Sequence, residues 1–112
     1  MPIMVTELDG GITRVILSDR MDAAGAAETG MEMYYVGESS DLVIVDLARV
    51  TFIASLALRN IVSLGKTVIK RKGKVVLLAP QTAVEEVLLT AGVDMLMPIF
   101  RDQASAVAAL SV

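Results

Sequence analysis

Residues 42–60 read LVIVDLARVTFIASLALRN, and this stretch decides the fold. Its first part, LVIVDLA, is a short and nearly continuous apolar run, which predicts a β-strand that is covered on both faces. Apolar residues such as Leu58 and Ile61 then recur at helical spacing, which predicts a helix from near Ser55 to about Lys72. A buried strand followed directly by such a helix is typical of α/β proteins.

The residues before this stretch predict a hairpin and a helix. IMVTELDGGITRVILS places apolar, β-branched residues on both sides of the turn Asp9-Gly10-Gly11, a strong hairpin signal. The next helix is predicted to begin at Ala23, with Asp22 as its N-cap, and to end near Val36. GESSD is then predicted to be a loop.

The residues after it complete an alternating pattern. Gly73 is predicted to end the central helix, and KVVLLAP follows as a strand. QTAVEEVLLTAGV predicts a helix, LMPIF an edge strand because of Pro98, and RDQASAVAALSV a closing helix capped by Asp102. The order β-β-α-β-α-β-α-β-α predicts an α/β fold in one domain, residues 1–112.

Composition excludes several kinds of chemistry. The 112 residues include no histidine and no cysteine, which excludes a Ser-His-Asp triad, a histidine-based zinc site and a disulfide. Neither a phosphate-binding loop nor a dinucleotide-binding glycine pattern is found. We therefore expect a binding module with no enzymatic activity, cofactor or metal. Apolar runs fall far short of the ~20 residues that cross a bilayer. With no signal peptide visible, we expect a cytoplasmic protein without membrane insertion.

Charge is unevenly distributed along the chain, although the net charge is only -3. Residues 1–50 hold nine acidic and three basic side chains, whereas residues 51–112 hold four acidic and seven basic ones. Five of these bases lie in KTVIKRKGK, residues 66–74. These basic side chains have two interpretations. They lie in solvent at the C-terminal end of a helix, where positive charge interacts favourably with the helix dipole, or they form a surface that binds an acidic partner. Direct nucleic-acid binding is not expected from an acidic protein.

Two further groups have a structural and a functional interpretation. Asp46 lies at the end of the predicted strand, where a carboxylate binds either a metal ion or a nearby backbone N–H. A phospho-receiver domain also has an aspartate at such a position, but the further acidic residues and the lysine that its site needs are missing here. Met31 and Met33 beside Tyr34 and Tyr35 favour core or helix packing over a cofactor site.

Ser55 is the most informative residue. Its hydroxyl either caps a helix that starts at Leu56 or accepts a phosphate, and one serine can do both. No Glu or Gln lies three residues further on, so a reciprocal capping box is absent.

DLVIVDLARVTFIASLALRNIVSLGKTVIKRKGKVVLLAPQTAVEEVLLTAGVDMLMPIF, residues 41–100, resembles the STAS domain of bacterial anti-sigma factor antagonists. The shared pattern is a strand ending in DL, the segment VTFIAS before a helix, a KGKVVLLAPQ strand, a helix ending in AG, and PIF. VILSDRMDAAGAAE is similar to the second strand and first helix of the family, more loosely. The resemblance implies a mixed, mostly parallel sheet of about five strands with about four helices, mainly on one side.

The same resemblance implies a function in partner switching. The unphosphorylated domain binds a serine kinase that is also an anti-sigma factor, phosphorylation of a serine releases it, and a serine phosphatase resets the cycle. The implied phosphoacceptor is Ser55. The implied partner-binding residues are Asp22, Thr51, Ile53, Ala54, Ser55, Leu56, Arg59 and Asn60.

Two departures from the family pattern leave an alternative open. The usual Asp-Ser-Ser-Gly is Ala54, Ser55, Leu56 and Ala57 here, so a leucine occupies the usual acceptor position. Either Ser55 takes the phosphate or the domain binds its partner constitutively. The alternative function is a STAS subunit of a membrane-associated transporter or sensory complex without phospho-regulation.

Overall fold

The computed structural model describes residues 2–111, which form five strands and four helices. The elements are β1 (Ile3–Leu8), β2 (Ile12–Met21), α1 (Ala23–Ser39), β3 (Leu42–Ile53), α2 (Ser55–Lys70), β4 (Lys74–Leu78), α3 (Thr82–Thr90), a 3₁₀ turn (Val93–Met95), β5 (Ile99–Phe100) and α4 (Gln103–Leu110). Their order matches the one that the sequence predicts.

The five strands form one mixed sheet in the order β1-β2-β3-β4-β5. β1 and β2 are antiparallel and joined through the Gly10-Gly11 turn, where both glycines have positive φ; the other pairs are parallel. Positive φ is the conformation that glycine tolerates best, which confirms the hairpin prediction. The two-residue β5 follows Pro98 and lies at the sheet edge, as predicted.

The helices lie mainly on one face of the sheet because each parallel crossover in the same direction takes the same hand. The larger hydrophobic core lies between the sheet and helices α1, α2 and α3, and includes Leu17, Met33, Val45, Ile61 and Leu88. The smaller core, on the other face, packs α4 against β3 and β4. The predicted α/β class with a mostly parallel five-stranded sheet is therefore confirmed.

Several predicted boundaries are wrong. α1 continues through GES to Ser39, because Gly37 is buried against α2: a Cβ built on it would lie 3.6 Å from Leu64 Cα. α3 ends at Thr90, close to its predicted end, and Gly92 follows the C-cap Ala91 in the left-handed conformation. β3 runs five residues beyond LVIVDLA to Ile53, and two register shifts in its pairing with β2 accommodate this length.

The end of α2 also differs from the prediction. The helix ends at Lys70, and the left-handed residue of the following turn is Lys72, with a φ of 73°. Lys72 N–H donates to Ile69 O at 2.9 Å and Gly73 N–H to Val68 O at 2.9 Å, which is a Schellman turn. Gly73 serves close packing, since a Cβ there would lie 2.3 Å from Asp41 O.

Candidate functional site around Ser55

Ser55 is the first residue of α2 and is exposed. The N-cap of α2 is Ala54, whose carbonyl oxygen accepts the N–H of Leu58 at 3.0 Å. Across the described residues 2–111, no side chain caps α2. The interpretation of Ser55 as the cap of a helix starting at Leu56 is therefore wrong. Among residues 2–111, no hydrogen bond of the Ser55 hydroxyl is found, and the residue stands at the uncapped first N–H groups of the helix.

The start of α1 lies beside the start of α2. Met21 and Ile53 are paired across β2 and β3, and Ala54 N–H donates to Met21 O at 2.8 Å. Asp22, the next residue, caps α1 by accepting the N–H of Gly25 at 2.9 Å, as predicted. The positive ends of two parallel helix dipoles therefore lie at the same end of the sheet as Ser55.

The residues that the resemblance implies for partner binding differ in exposure. Thr51, Ser55, Leu56 and Arg59 are exposed, and Asp22, Ala54 and Asn60 are half-buried. Ile53 is only 6% exposed and belongs to the larger core, so we remove it from the contact surface. Thr51 lies within β3, because the strand extends beyond the predicted LVIVDLA to Ile53.

Sequence reasoning missed two residues at this surface, Arg20 and Phe52. They are cross-strand partners on β2 and β3, and the Arg20 guanidinium carbon lies 4.4 Å from the centroid of the Phe52 ring. Arg20 Nε also lies 3.8 Å from Asp22 Oδ2. Phe52 is 40% exposed and Leu56 39%. The pairing depends on the register after the two register shifts between β2 and β3, which no local pattern reveals.

We call the exposed or half-exposed group at the starts of α1 and α2 the Ser55 surface: Arg20, Asp22, Thr51, Phe52, Ser55, Leu56 and Arg59. Two apolar side chains lie among polar and charged ones. Exposed apolar side chains among polar and charged ones are a composition found in protein–protein contacts.

Asp46 serves the fold. It lies within β3 and is only 4% exposed, and its Oδ2 accepts Nη2 and Nε of Arg14 at 2.6 and 3.2 Å. Its Oδ1 accepts the N–H of Ala48 at 3.0 Å, which confirms the predicted bond to a nearby backbone N–H. In the described range 2–111, no group of three acidic side chains is placed to hold a metal ion.

The basic run and the methionine–tyrosine group of α1 contain both residues that stabilise the fold and residues that are exposed. Arg71, in the basic run, donates to the carbonyl oxygens of Gly37 and Ser40 and so closes the end of α1. Met33 is buried in the larger core, as predicted. The packing prediction is wrong for its neighbours Met31, Tyr34 and Tyr35, which are exposed.

The comparisons with known proteins agree with the fold described above. The family model for the STAS domain matches residues 5–106. The chain belongs to the STAS domain family. No curated protein matches this STAS domain in sequence. Between Pro2 and Ser111, no helix of the domain has the length and apolar character needed to cross a membrane.

Solved structures of other STAS proteins share the fold at low sequence identity. An anti-sigma factor antagonist from Mycobacterium paratuberculosis is 22% identical with a TM-score of 0.87, over 98% of this chain and 93% of that one. The anti-sigma factor antagonist SpoIIAA of Bacillus, in its unphosphorylated form, is 12% identical with a TM-score of 0.80, over 98% and 97%. A sulfate transporter family protein from Wolinella succinogenes is 14% identical with a TM-score of 0.77, over 95% and 89%. At these identities the likeness establishes the fold alone.

Proposed function

We propose that this STAS domain is a cytoplasmic anti-sigma factor antagonist that regulates transcription by partner switching. In its unphosphorylated state it binds a serine kinase that also acts as an anti-sigma factor, and phosphorylation of Ser55 releases that partner. A serine phosphatase then restores the binding state. The domain itself performs no catalysis, because the kinase carries the ATP site.

The exposed, unbonded hydroxyl of Ser55 at the uncapped start of α2 carries this proposal. A kinase can reach it without opening the fold. A phosphate at this position can accept the free N–H groups of the first turn and gains from the helix dipole. The domain therefore remains folded after phosphorylation.

The effect of the phosphate falls on the complex. Phe52 and Leu56 are about 40% and 39% exposed and flank Ser55, so a bound partner covers apolar surface there. Phosphorylation adds about -1.5 to -2 charges, which must lose water within that contact. A cost of ~3–4 kcal/mol weakens partner binding several hundredfold.

The experiment combines site mapping with binding. The protein is incubated with its cognate kinase, identified by pull-down and mass spectrometry, and with ATP. We expect phosphate on Ser55 and loss of the complex. Ser55→Ala should bind the kinase without release, and Ser55→Asp should bind poorly.

Ser63→Ala is the matched control, because Ser63 is another exposed hydroxyl two turns further along α2. It should behave like the wild type in both assays. Phosphate on Thr51 or Ser63, or none in the presence of an active kinase, contradicts the assignment.

A second candidate function is a STAS subunit of a membrane-associated transporter or sensory complex. The structural likeness to the sulfate transporter family protein and the leucine at position 56, the usual acceptor position, favour it. In that case the protein co-purifies with a membrane protein and carries no phosphate on Ser55.

A further inference from the structure

Ser55 and Arg59 lie on the same side of α2. Both are exposed, and Arg59 follows Ser55 by four positions in the helix that runs from Ser55 to Lys70. Residues four apart in an α-helix are neighbours on its surface, about 5–6 Å apart between their Cβ atoms. Helical side chains also lean towards the N-terminus of their helix, so the long side chain of Arg59 leans towards Ser55.

The guanidinium of Arg59 is free in the unphosphorylated domain. Within residues 2–111, this side chain takes part in no ion pair or hydrogen bond. The other arginine of the Ser55 surface, Arg20, already stacks on the Phe52 ring and lies 3.8 Å from Asp22. Of these two arginines, Arg59 is therefore the one whose donors are available to a new anion.

The start of α2 lacks a negative charge. Ala54 provides no side-chain cap, and the first turn contains no acidic residue. An acidic group four positions before a basic residue is the more favourable order for an ion pair along a helix. A phosphate on Ser55 would supply that acidic group, with about -1.5 to -2 charges and three acceptor oxygens.

Building on the proposed function, we infer that Arg59 is the counter-ion of phosphoserine 55. Its guanidinium donates hydrogen bonds to two phosphate oxygens and holds the group against the first turn of α2. Arginine pairs with phosphate in this bidentate way because its donors form a planar fork, which gives direction as well as attraction.

The pair gives Arg59 a role in the partner switch. Arg59 belongs to the Ser55 surface, so the phosphate and a bound partner compete for the same guanidinium. Phosphorylation then changes two side chains of that surface: it adds an anion at Ser55 and withdraws the donors of Arg59. The change needs only the rotation of one exposed side chain.

Phosphorus NMR of the whole domain tests the pair, with phosphoserine incorporated at position 55 during translation so that no kinase is needed. The chemical shift follows the second ionisation of the phosphate, which lies near pH 6 in phosphoserine. An exposed pair at this spacing favours the dianion about twofold, so Arg59→Gln should lower the second ionisation constant about twofold. Arg59→Lys should keep part of the effect, because lysine retains the charge and loses the fork.

Lys66→Gln is the matched control, because it removes the same charge from the same side of α2. Position 66 lies about three turns further along the helix, about 16 Å from Ser55, where salt at 0.1 M screens most of the interaction. Its ionisation constant should equal that of the wild type. Both substituted side chains are exposed and form no ion pair within residues 2–111, so neither change should unfold the domain.

The result separates this inference from the proposed function. An unchanged ionisation constant in Arg59→Gln, or an equal decrease in Lys66→Gln, overturns the pairing of Arg59 with the phosphate. A kinase that leaves Ser55 unmodified contradicts the proposed function instead, because the phosphate in this experiment is installed without one.

Discussion

Substitutions at the neighbouring positions 72 and 73 should change stability in opposite directions. Lys72 holds the left-handed conformation of the Schellman turn, with a φ of 73°, in which a side chain other than glycine is strained. Gly73 occupies a position where a Cβ would lie 2.3 Å from Asp41 O and 2.6 Å from Val68 Cγ1. The expected gain at one position and loss at the next follow from these two different constraints.

The magnitudes follow from what has to move. Asp41 O accepts the N–H of Lys74 at 2.8 Å, where β4 begins to pair with β3. A methyl group on Gly73 must displace that carbonyl, which combines an overpacking cost of about 1–3 kcal/mol with a weakened hydrogen bond of about 1 kcal/mol. Gly73→Ala should therefore destabilise the domain by about 2–4 kcal/mol. Lys72→Gly relieves the backbone strain and should stabilise it by about 0.5–1 kcal/mol, net of the added chain entropy.

Urea unfolding followed by far-UV circular dichroism measures both effects. With a slope of about 1.5 kcal/mol/M, the midpoint for Gly73→Ala should fall by about 1–3 M, and that for Lys72→Gly should rise by a few tenths. Lys72→Ala is the control, because it removes the charge and keeps the strained backbone; its midpoint should stay near that of the wild type. A wild-type midpoint for Gly73→Ala, or a lowered one for Lys72→Gly, would refute this reasoning.

Three further predictions concern the helix starts. Ser55→Ala should leave the urea midpoint unchanged, whereas Asp22→Ala should cost about 1 kcal/mol of stability, because the side chain of Asp22 caps its helix and that of Ser55 does not. Asp22→Asn should keep most of that stability but lower the affinity for the partner kinase in a titration; equal affinity would restrict Asp22 to a structural role. The backbone N–H of Ser105, together with its side chain, lowers the pKa of the Asp102 carboxyl group, so its contribution is complete above the ordinary carboxyl pKa and is lost as pH falls through the lowered one. Asp102→Asn should therefore show a smaller loss of urea midpoint on acidification, and an identical pH profile would contradict this.

Local chemistry made the order of elements and two caps predictable. The hairpin turn requires glycine, and Asp22 and Asp102 each precede a helix whose third residue donates an N–H to the carboxylate. The sequence distinguished strands from helices by the spacing of apolar residues, because a helix buries one face and a central strand buries both. These signals lie within a few residues of the structure that they specify.

The errors arose where distant parts of the chain decide the structure. Gly37 looks like a helix terminator, but its contact with Leu64 keeps it within α1. The sequence suggests Gly73 as the left-handed residue that ends α2, but Lys72 has that conformation. Glycine is needed at position 73 because the Asp41 carbonyl packs where a Cβ would lie. The Arg14–Asp46 ion pair joins residues 32 positions apart, so only the sheet register reveals it.

The correction at Ser55 strengthens the functional proposal. A serine that capped α2 would couple phosphorylation to the stability of the helix, because the modified oxygen would be the one that holds the first turn. The extension of β3 to Ile53 instead gives the N-cap position to Ala54 and leaves the Ser55 hydroxyl without a structural task. A kinase can then change the charge of the surface by about two units while the fold keeps all of its hydrogen bonds. Under the proposed partner switch, phosphorylation can therefore act on the complex without first breaking a hydrogen bond of the fold.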